Sequence, residues 1–472
     1  MPEFAVSAVD MSNLTAGNEF AYRQRGVAEF VLVVVSIAIG VGAFAAVGLG
    51  IDGKLTSDFT VTAVWFSFVI IAAHIAVRRF APYADPTVLP MISALNGIGL
   101  AMIERIHHAT PAPPYDPGPG AAKQLMWTTI GVVGFIAILA FLRDHRRLQT
   151  FTYTSGAAAV ALLLLPLVPG LGVNINGARI WIHLGSFSFQ PGEVAKILLV
   201  ISFAGYLVQH RDALALAGRR ILFVDLPRGR DLGPILAMWA IGMAILVFQN
   251  DLGFPFVLFG LLLVLLYIST ERPGWIVVGA LLAIVGGVAA YLAVGHVRVR
   301  VDIWLHPFAD PQNKGYQLVQ GFFGMAWGGL TGRGWGQGHP YIVPFSYSDF
   351  MSASIGEELG LTGLIAVLLL YVLLVERGLR TALISRDNFG KLVAIGLATV
   401  LMLQVFAVVG GVLGLIPLTG LTTPFLSYGG SSLISNWALA GLLLRISDQA
   451  RRPLPRWNAD EDVDATAVVS LR

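Results

Sequence analysis

"LGFPFVLFGLLLVLLYISTERPGWIVVGALLAIVGGVAAYLAVG", residues 252–295, holds two apolar runs, 252–270 and 274–295, with only Glu271, Arg272 and Pro273 between them. Each run has about 20 residues, the length a helix needs to cross about 30 Å of hydrocarbon. Two such runs joined so tightly read as a transmembrane helical hairpin. Working outward, further runs lie near 30–50, 60–77, 87–104, 124–142, 150–168, 192–209, 234–249, 351–375, 391–413 and 425–446. The whole chain is 56% hydrophobic and 12% charged, with a mean hydropathy of +0.73, whereas a soluble domain carries about 25% charged residues. The reading is an all-α polytopic membrane protein with about 12 transmembrane helices.

Charge sorts those helices by side. With the N-terminus cytoplasmic, twenty-two Lys and Arg fall on cytoplasmic segments and eight on outer ones, which is the positive-inside pattern. A net charge of +3 gives no case for a nucleic-acid partner, and the absence of cysteine excludes disulfides and thiolate metal sites. Residues 1–26 lack the charged start, short apolar run and cleavage site of a removed signal peptide, so the first span reads as a signal anchor. The acidic tail 451–472 reads as a disordered cytoplasmic segment. Three polar segments face outward, near 169–191, 296–350 and 414–424, and no Walker sequence occurs. Chemistry is therefore expected on the outer side.

Several motifs carry more than one reading. In "FQPGEVAKI", 189–197, Pro191 suits a helix's first position, and Glu193 and Lys196 stand three residues apart on one face. They read as a structural ion pair, a substrate contact or a proton-switching pair of a transporter. In "FQNDLGFPF", 248–256, Asn250 and Asp251 can cap the next helix. In "IPLTGLTTPFLSYGGSSLISNW", 416–437, Ser427, Tyr428, Gly429, Gly430, Ser431 and Ser432 either let helices approach closely or form a polar rim for an anionic headgroup. The alternating glycines of "GGLTGRGWGQGHP", 328–340, read as a flexible loop, with phosphate cradling as the weaker alternative. His107, His108, His183, His306 and His339 show no metal-ligand spacing. Finally, "HPFADPQNKGYQLVQ", 306–320, sets Asp310 between two prolines, with Lys314, Asp349, Glu357 and Glu358 following at or near the outer surface. A turn role and a catalytic role are both open for Asp310.

Taken in order, "NGARIWIHLGSFSFQPGEVAK", "FQNDLG", "WLHPFADPQNKGYQLVQ", "SDFMSASIGEELG" and "IPLTGLTTPFLSYGGSSL" resemble the signatures of the SEDS proteins (shape, elongation, division and sporulation), the RodA/FtsW group, over roughly residues 88–450. The resemblance implies a ten-helix core at 87–450, with 27–86 as two additional N-terminal helices and a large extracytoplasmic loop at about 296–350. It implies a glycosyltransferase that polymerises lipid II on the outer leaflet, with Asp310 at the family's essential carboxylate position. The acceptor hydroxyl needs a base as it attacks the anomeric carbon with inversion, and the undecaprenyl pyrophosphate leaving group needs cations. Arg179, Lys196, Lys314 and Arg333 are candidates, and Mg²⁺ or Mn²⁺ could share the task. A class B penicillin-binding protein is the implied partner, with membrane lipid around both. Rival readings are a lipid II flippase that switches through Glu193 and Lys196, and a non-catalytic scaffold that activates a transpeptidase. This chain departs from the family pattern at Gly192, where Ser is common, and at Arg179, which is shifted by one position.

Overall fold

The computed structural model describes residues 24–109, 116, 118–175, 177–185, 187–211, 219–221, 224–226 and 229–453. Most of the segment 1–26 and of the tail 451–472 lies outside the described residues, as does part of the 210–233 connection. The chain runs through α1 (Gly26–Asp52), α2 (Phe59–Phe80), α3 (Val88–Ala109), α4 (Ala121–Phe141) and α5 (Thr152–Leu164). A small antiparallel sheet follows, β1 (Gly172–Ile175), β2 (Ala178–Leu184) and β3 (Phe187–Phe189), with β2 in the middle. Then come α6 (Pro191–Gln209), the short hairpin β4 (Arg219–Ile221) and β5 (Val224–Leu226), α7 (Gly229–Phe248), α8 (Gly253–Thr270) and α9 (Gly274–Ala293). The last third holds α10 (Gly295–Leu305), α11 (Tyr316–Gly328), α12 (Met351–Glu358), α13 (Gly360–Ile384), α14 (Asn388–Val412) and α15 (Gly430–Arg451).

Ten helices among the described residues are long and apolar enough to cross a membrane. Two further sequence runs also form helices: α7, whose apolar part is Gly233–Phe248, and α15, which is more polar than the ten. The structure refines three expectations. The run 351–375 is not one helix, because the chain breaks at Leu359–Gly360, where Gly360 takes φ +69°. A Cβ on Gly360 would lie 2.2 Å from the Gly332 nitrogen, so close packing as well as backbone conformation requires glycine there. The segment 296–350 carries α10, α11 and two short 3-10 turns within the stretch read as one loop, and 169–191 is mostly sheet, so the chain is mostly helical rather than all-α. The strand β2 alternates Ile180 and Ile182 with Arg179, Trp181 and His183, a period of two.

Backbone polar groups have no water to bind in hydrocarbon, so these apolar runs satisfy them within helices. Helix ends use local devices: Gly53 closes α1 at φ +67°, and the Asp387 carboxylate accepts from the Gly390 amide to open α14. Two apolar clusters fill the bundle. One joins α1–α4 with α12 and α13, the other joins α5–α8, and both draw on α14 and α15. A third, small cluster of Leu318, Val343, Phe350, Ala353 and Val412 lies beneath the chain around Asp310. The helix α1 crosses α3 at Gly40 and Gly97, where a Cβ on Gly40 would lie 2.9 Å from the Gly97 Cα. At the periphery, α9 buries only Trp275 and Gly279.

Candidate active site

Helix α10 ends at His306, a short 3-10 turn covers Pro307–Ala309, and Asp310 follows before α11 opens at Tyr316. The turn is closed by Asp310 itself. Its Oδ1 accepts from Asn313 Nδ2 at 2.9 Å, its Oδ2 from the Lys314 amide at 3.4 Å, and its carbonyl from the Gly315 amide at 2.9 Å. Gly315 is required because a Cβ there would lie 2.3 Å from the Pro307 carbonyl oxygen. The Asn313 side chain, then the Lys314 amide, hold the Asp310 carboxyl below its usual range. Asp310 is therefore ionised and partly open to solvent at neutral pH.

Both flanking helices are pinned. From α10, Trp304 Nε1 donates to the Gly414 carbonyl at 2.8 Å and Arg300 Nη1 to the Leu418 carbonyl at 2.7 Å. From α11, Gln317 Nε2 donates to the Pro344 carbonyl at 3.0 Å. Arg300 is a residue the motif reading missed. Burial works against its charge, while the fields of Asp251 and Asp349 work for it. Arg300 and Trp304 stand four apart on one helix face, and in the structure both reach the 414–418 segment. Asp349 is pushed up to about 6 by burial, against the Ser348 hydroxyl, Arg300 and Gln317. It loses its charge as pH falls through that value.

Asp251 sits where its carboxylate accepts from the Gly253 and Phe254 amides at 2.9 and 3.2 Å, which caps α8. Asp251→Ala should lower stability by about 1 kcal/mol, whereas Asp251→Asn keeps an acceptor oxygen. Thermal unfolding of the two variants in detergent, with equal melting temperatures, would rule the cap out as a stability contributor.

Glu193 and Lys196 lie buried on the first turns of α6. Lys196 Nζ meets Glu193 Oε2 at 2.5 Å, Gln404 Oε1 at 2.8 Å and Asn436 Oδ1 at 3.4 Å, so its three donors all point at protein acceptors on α6, α14 and α15. The hydroxyl rim is similarly engaged. Ser427 Oγ donates to the Ser348 carbonyl at 2.5 Å, the Tyr428 amide donates to the Tyr347 carbonyl at 2.8 Å, and Ser431 Oγ accepts from the Gln190 amide at 2.9 Å. Ser432 Oγ accepts from Asn436 Nδ2 at 3.2 Å.

Of the other sequence candidates only Lys314 shares the Asp310 turn. Arg333 stacks its guanidinium 3.7 Å from the Trp327 ring centroid, beyond the far end of α11. A 13-residue helix puts about 20 Å between the two ends. Arg179 lies on β2 with its amide donating to the Gln249 carbonyl at 2.9 Å, and Lys314 is exposed. Glu357 and Glu358 are buried rather than superficial. Glu358 pairs with buried Arg105 at 2.6 Å, and Glu357 accepts from the His339 amide at 2.6 Å. The described residues contain no group of three His, Asp or Glu able to hold a metal ion. One carboxylate at Asp310, with phosphate oxygens of a substrate, is what a Mg²⁺ site of the shared kind would use.

The chain matches the cell cycle protein family FtsW/RodA/SpoVE over residues 86–452. It is 46% identical over 428 residues to the protein named peptidoglycan glycosyltransferase RodA of Mycobacterium bovis, covering 90% of this chain and 91% of that one. That coverage reaches into the N-terminal helices. A solved peptidoglycan synthase complex, described as coordinating polymerization and crosslinking, includes a chain 29% identical with a TM-score of 0.63, covering 78% of this chain and 98% of that one. The rod shape determining protein RodA of Thermus thermophilus is 27% identical with a TM-score of 0.54, covering 77% of this chain and 96% of that one. Sequence match, helical bundle and motif order agree: this multi-pass membrane protein belongs to the FtsW/RodA/SpoVE family.

Proposed function

We propose that this protein is a peptidoglycan glycosyltransferase that polymerises lipid II on the outer face of the cytoplasmic membrane. The observation that carries the reading is the Asp310 turn, an ionised carboxylate pinned between two docked helices in a chain nearly half identical to a named glycosyltransferase. The acceptor sugar hydroxyl gives its proton to Asp310 as its oxygen bonds to the donor's anomeric carbon. The bond from that carbon to the pyrophosphate oxygen breaks, and undecaprenyl pyrophosphate leaves with inversion. Arg300 and Lys314 are the cations closest along the chain to Asp310, and they offset the leaving group's charge. Lys196, by contrast, is saturated by protein acceptors, which removes support from a switching role for that pair. The sorting of Lys and Arg supports cytoplasmic termini, twelve spans and an outer active site, with α1 and α2 added to the family core. The named synthase complex supports a crosslinking partner of the class B penicillin-binding type.

Purified protein incubated with lipid II, with and without that partner, should yield a glycan ladder on a gel. No ladder in either case would sink the reading. Within it, Arg300→Met should lower the rate by about 100-fold, the scale of losing one charge-stabilising group, and Arg300→Lys should restore part of it. Equal rates for Arg300→Met and wild type would remove Arg300 from the machinery.

A further inference from the structure

The family match begins at residue 86, yet the end of α1 grips a segment inside the core. Gly50 meets the glycine-rich stretch backbone to backbone, since a Cβ there would lie 1.9 Å from the Trp335 carbonyl oxygen. Gln337 Nε2 donates to the Gly50 carbonyl at 2.7 Å, and Asp52 Oδ2 lies 2.9 Å from His108 Nε2 on α3. From the other side α12 holds the same stretch, with the Gly334 amide donating to the Glu358 carbonyl and the Gly336 amide to Glu358 Oε2, each at 2.9 Å. Arg105 Nη2 donates to the Gly338 carbonyl at 2.7 Å. Gly332, Gly334 and Gly336 have φ of +79°, +99° and +84°, so the alternating glycines serve a clamped, close-packed path. This path starts at Gly329, the C-terminal cap of α11, and the other end of α11 follows the Asp310 turn.

We propose that α1 is a positioning element for catalysis. By holding the 335–337 turn against α12 it fixes the far end of α11, and that helix, acting as a rigid rod, sets the turn that presents Asp310. The proposal rests on the polymerase reading. It also explains why a helix outside the family core makes backbone contact with the core's most glycine-rich path.

The test compares Gly50→Val, whose side chain must push α1 off Trp335, with a reversible tether. The chain has no cysteine, so an introduced pair reacts alone. A Cβ at Gly336 would lie 3.0 Å from Ile51 Cγ1, the place the sulfur takes in Ile51→Cys, and 2.8 Å from the Gly50 carbonyl carbon, so the pair is within disulfide reach once the two backbones give by a few tenths of an ångström. The expected results are a Gly50→Val enzyme with kcat lowered about tenfold at unchanged KM, as small misplacements of a reacting group produce, and an oxidised Ile51→Cys/Gly336→Cys enzyme as active as its reduced form. Wild-type kcat for Gly50→Val overturns the proposal. So does a pair that fails to oxidise in membranes, or whose oxidation reversibly stops synthesis. If Gly50→Val does not accumulate, the pair decides, with Gly336→Cys alone as the control for backbone strain. Asp310→Asn in the same assay separates the two ideas: glycan from wild type but not from Asp310→Asn sustains the polymerase reading whatever the α1 variants do. Disulfide formation reports the contact without any glycan assay.

Discussion

Asp310→Asn should stop glycan synthesis, with a loss of about 100- to 10,000-fold, the range by which a positioned general base contributes. Asparagine keeps the size and the acceptor oxygen that closes the 310–315 turn, so the protein should reach the membrane at the wild-type level. Asp310→Ala should lose activity equally and fold nearly as well, because the carboxylate bonds only to its own turn. The pH profile adds a sharper expectation. Asp310 titrates below the ordinary aspartate value of about 3.9, so it stays ionised throughout the working range, and its activity would be lost only as pH falls through that low value. An acid limb near pH 6 therefore belongs to Asp349, whose protonation removes a counter-charge from Arg300. Asp349→Asn should abolish that limb. Persistence of the limb in Asp349→Asn, or a ladder from Asp310→Asn, would contradict the assignment.

The second large effect is on stability. Lys196→Met leaves the Glu193 carboxylate buried without its cation, and Glu193→Gln leaves the ammonium with only amide acceptors. Stranding a buried charge costs about 3–5 kcal/mol, enough to reduce membrane accumulation of each single variant. Glu193→Gln/Lys196→Met should recover part of the loss, because no unpaired charge remains. Gel filtration of a fluorescent fusion would read this directly. Normal accumulation of both single variants with selective loss of glycan synthesis would instead assign the pair to substrate contact.

Much of this architecture is legible in the chain because apolar length and motif order are local signals. The helical hairpin at 252–295, the proline at the start of α6 and the capping aspartate at 251 all work within a few residues of themselves. What was hidden depends on distant partners. Glu357 and Glu358 look like surface carboxylates until Arg105, some 250 residues earlier, is brought beside them. The break at Leu359–Gly360 lies between two apolar stretches, and its cause is the backbone of Gly332 and Leu330. Arg300 sits in a Val-rich helix without a motif glycine or proline, and only its neighbours Asp251, Asp349 and Leu418 give it meaning. The sheet at 172–189 was obscured by its glycines, although the period-two pattern of β2 was visible.

The last helix has a consequence for how the protein is made. Arg445 of α15 donates to the carbonyls of Phe80 at 2.7 Å and of Leu139, and Arg451 reaches Asp85 at 2.7 Å. Both arginines are in the last two turns of α15, where their head groups are held by protein acceptors rather than by water. Those acceptors are synthesised hundreds of residues earlier, so α15 is a poor client for independent insertion. It enters lipid as the closing stave of a barrel whose other staves already stand. A chain stopped before residue 430 would thus leave the Phe80 and Leu139 carbonyls and the Asp85 carboxylate without the arginines that meet them.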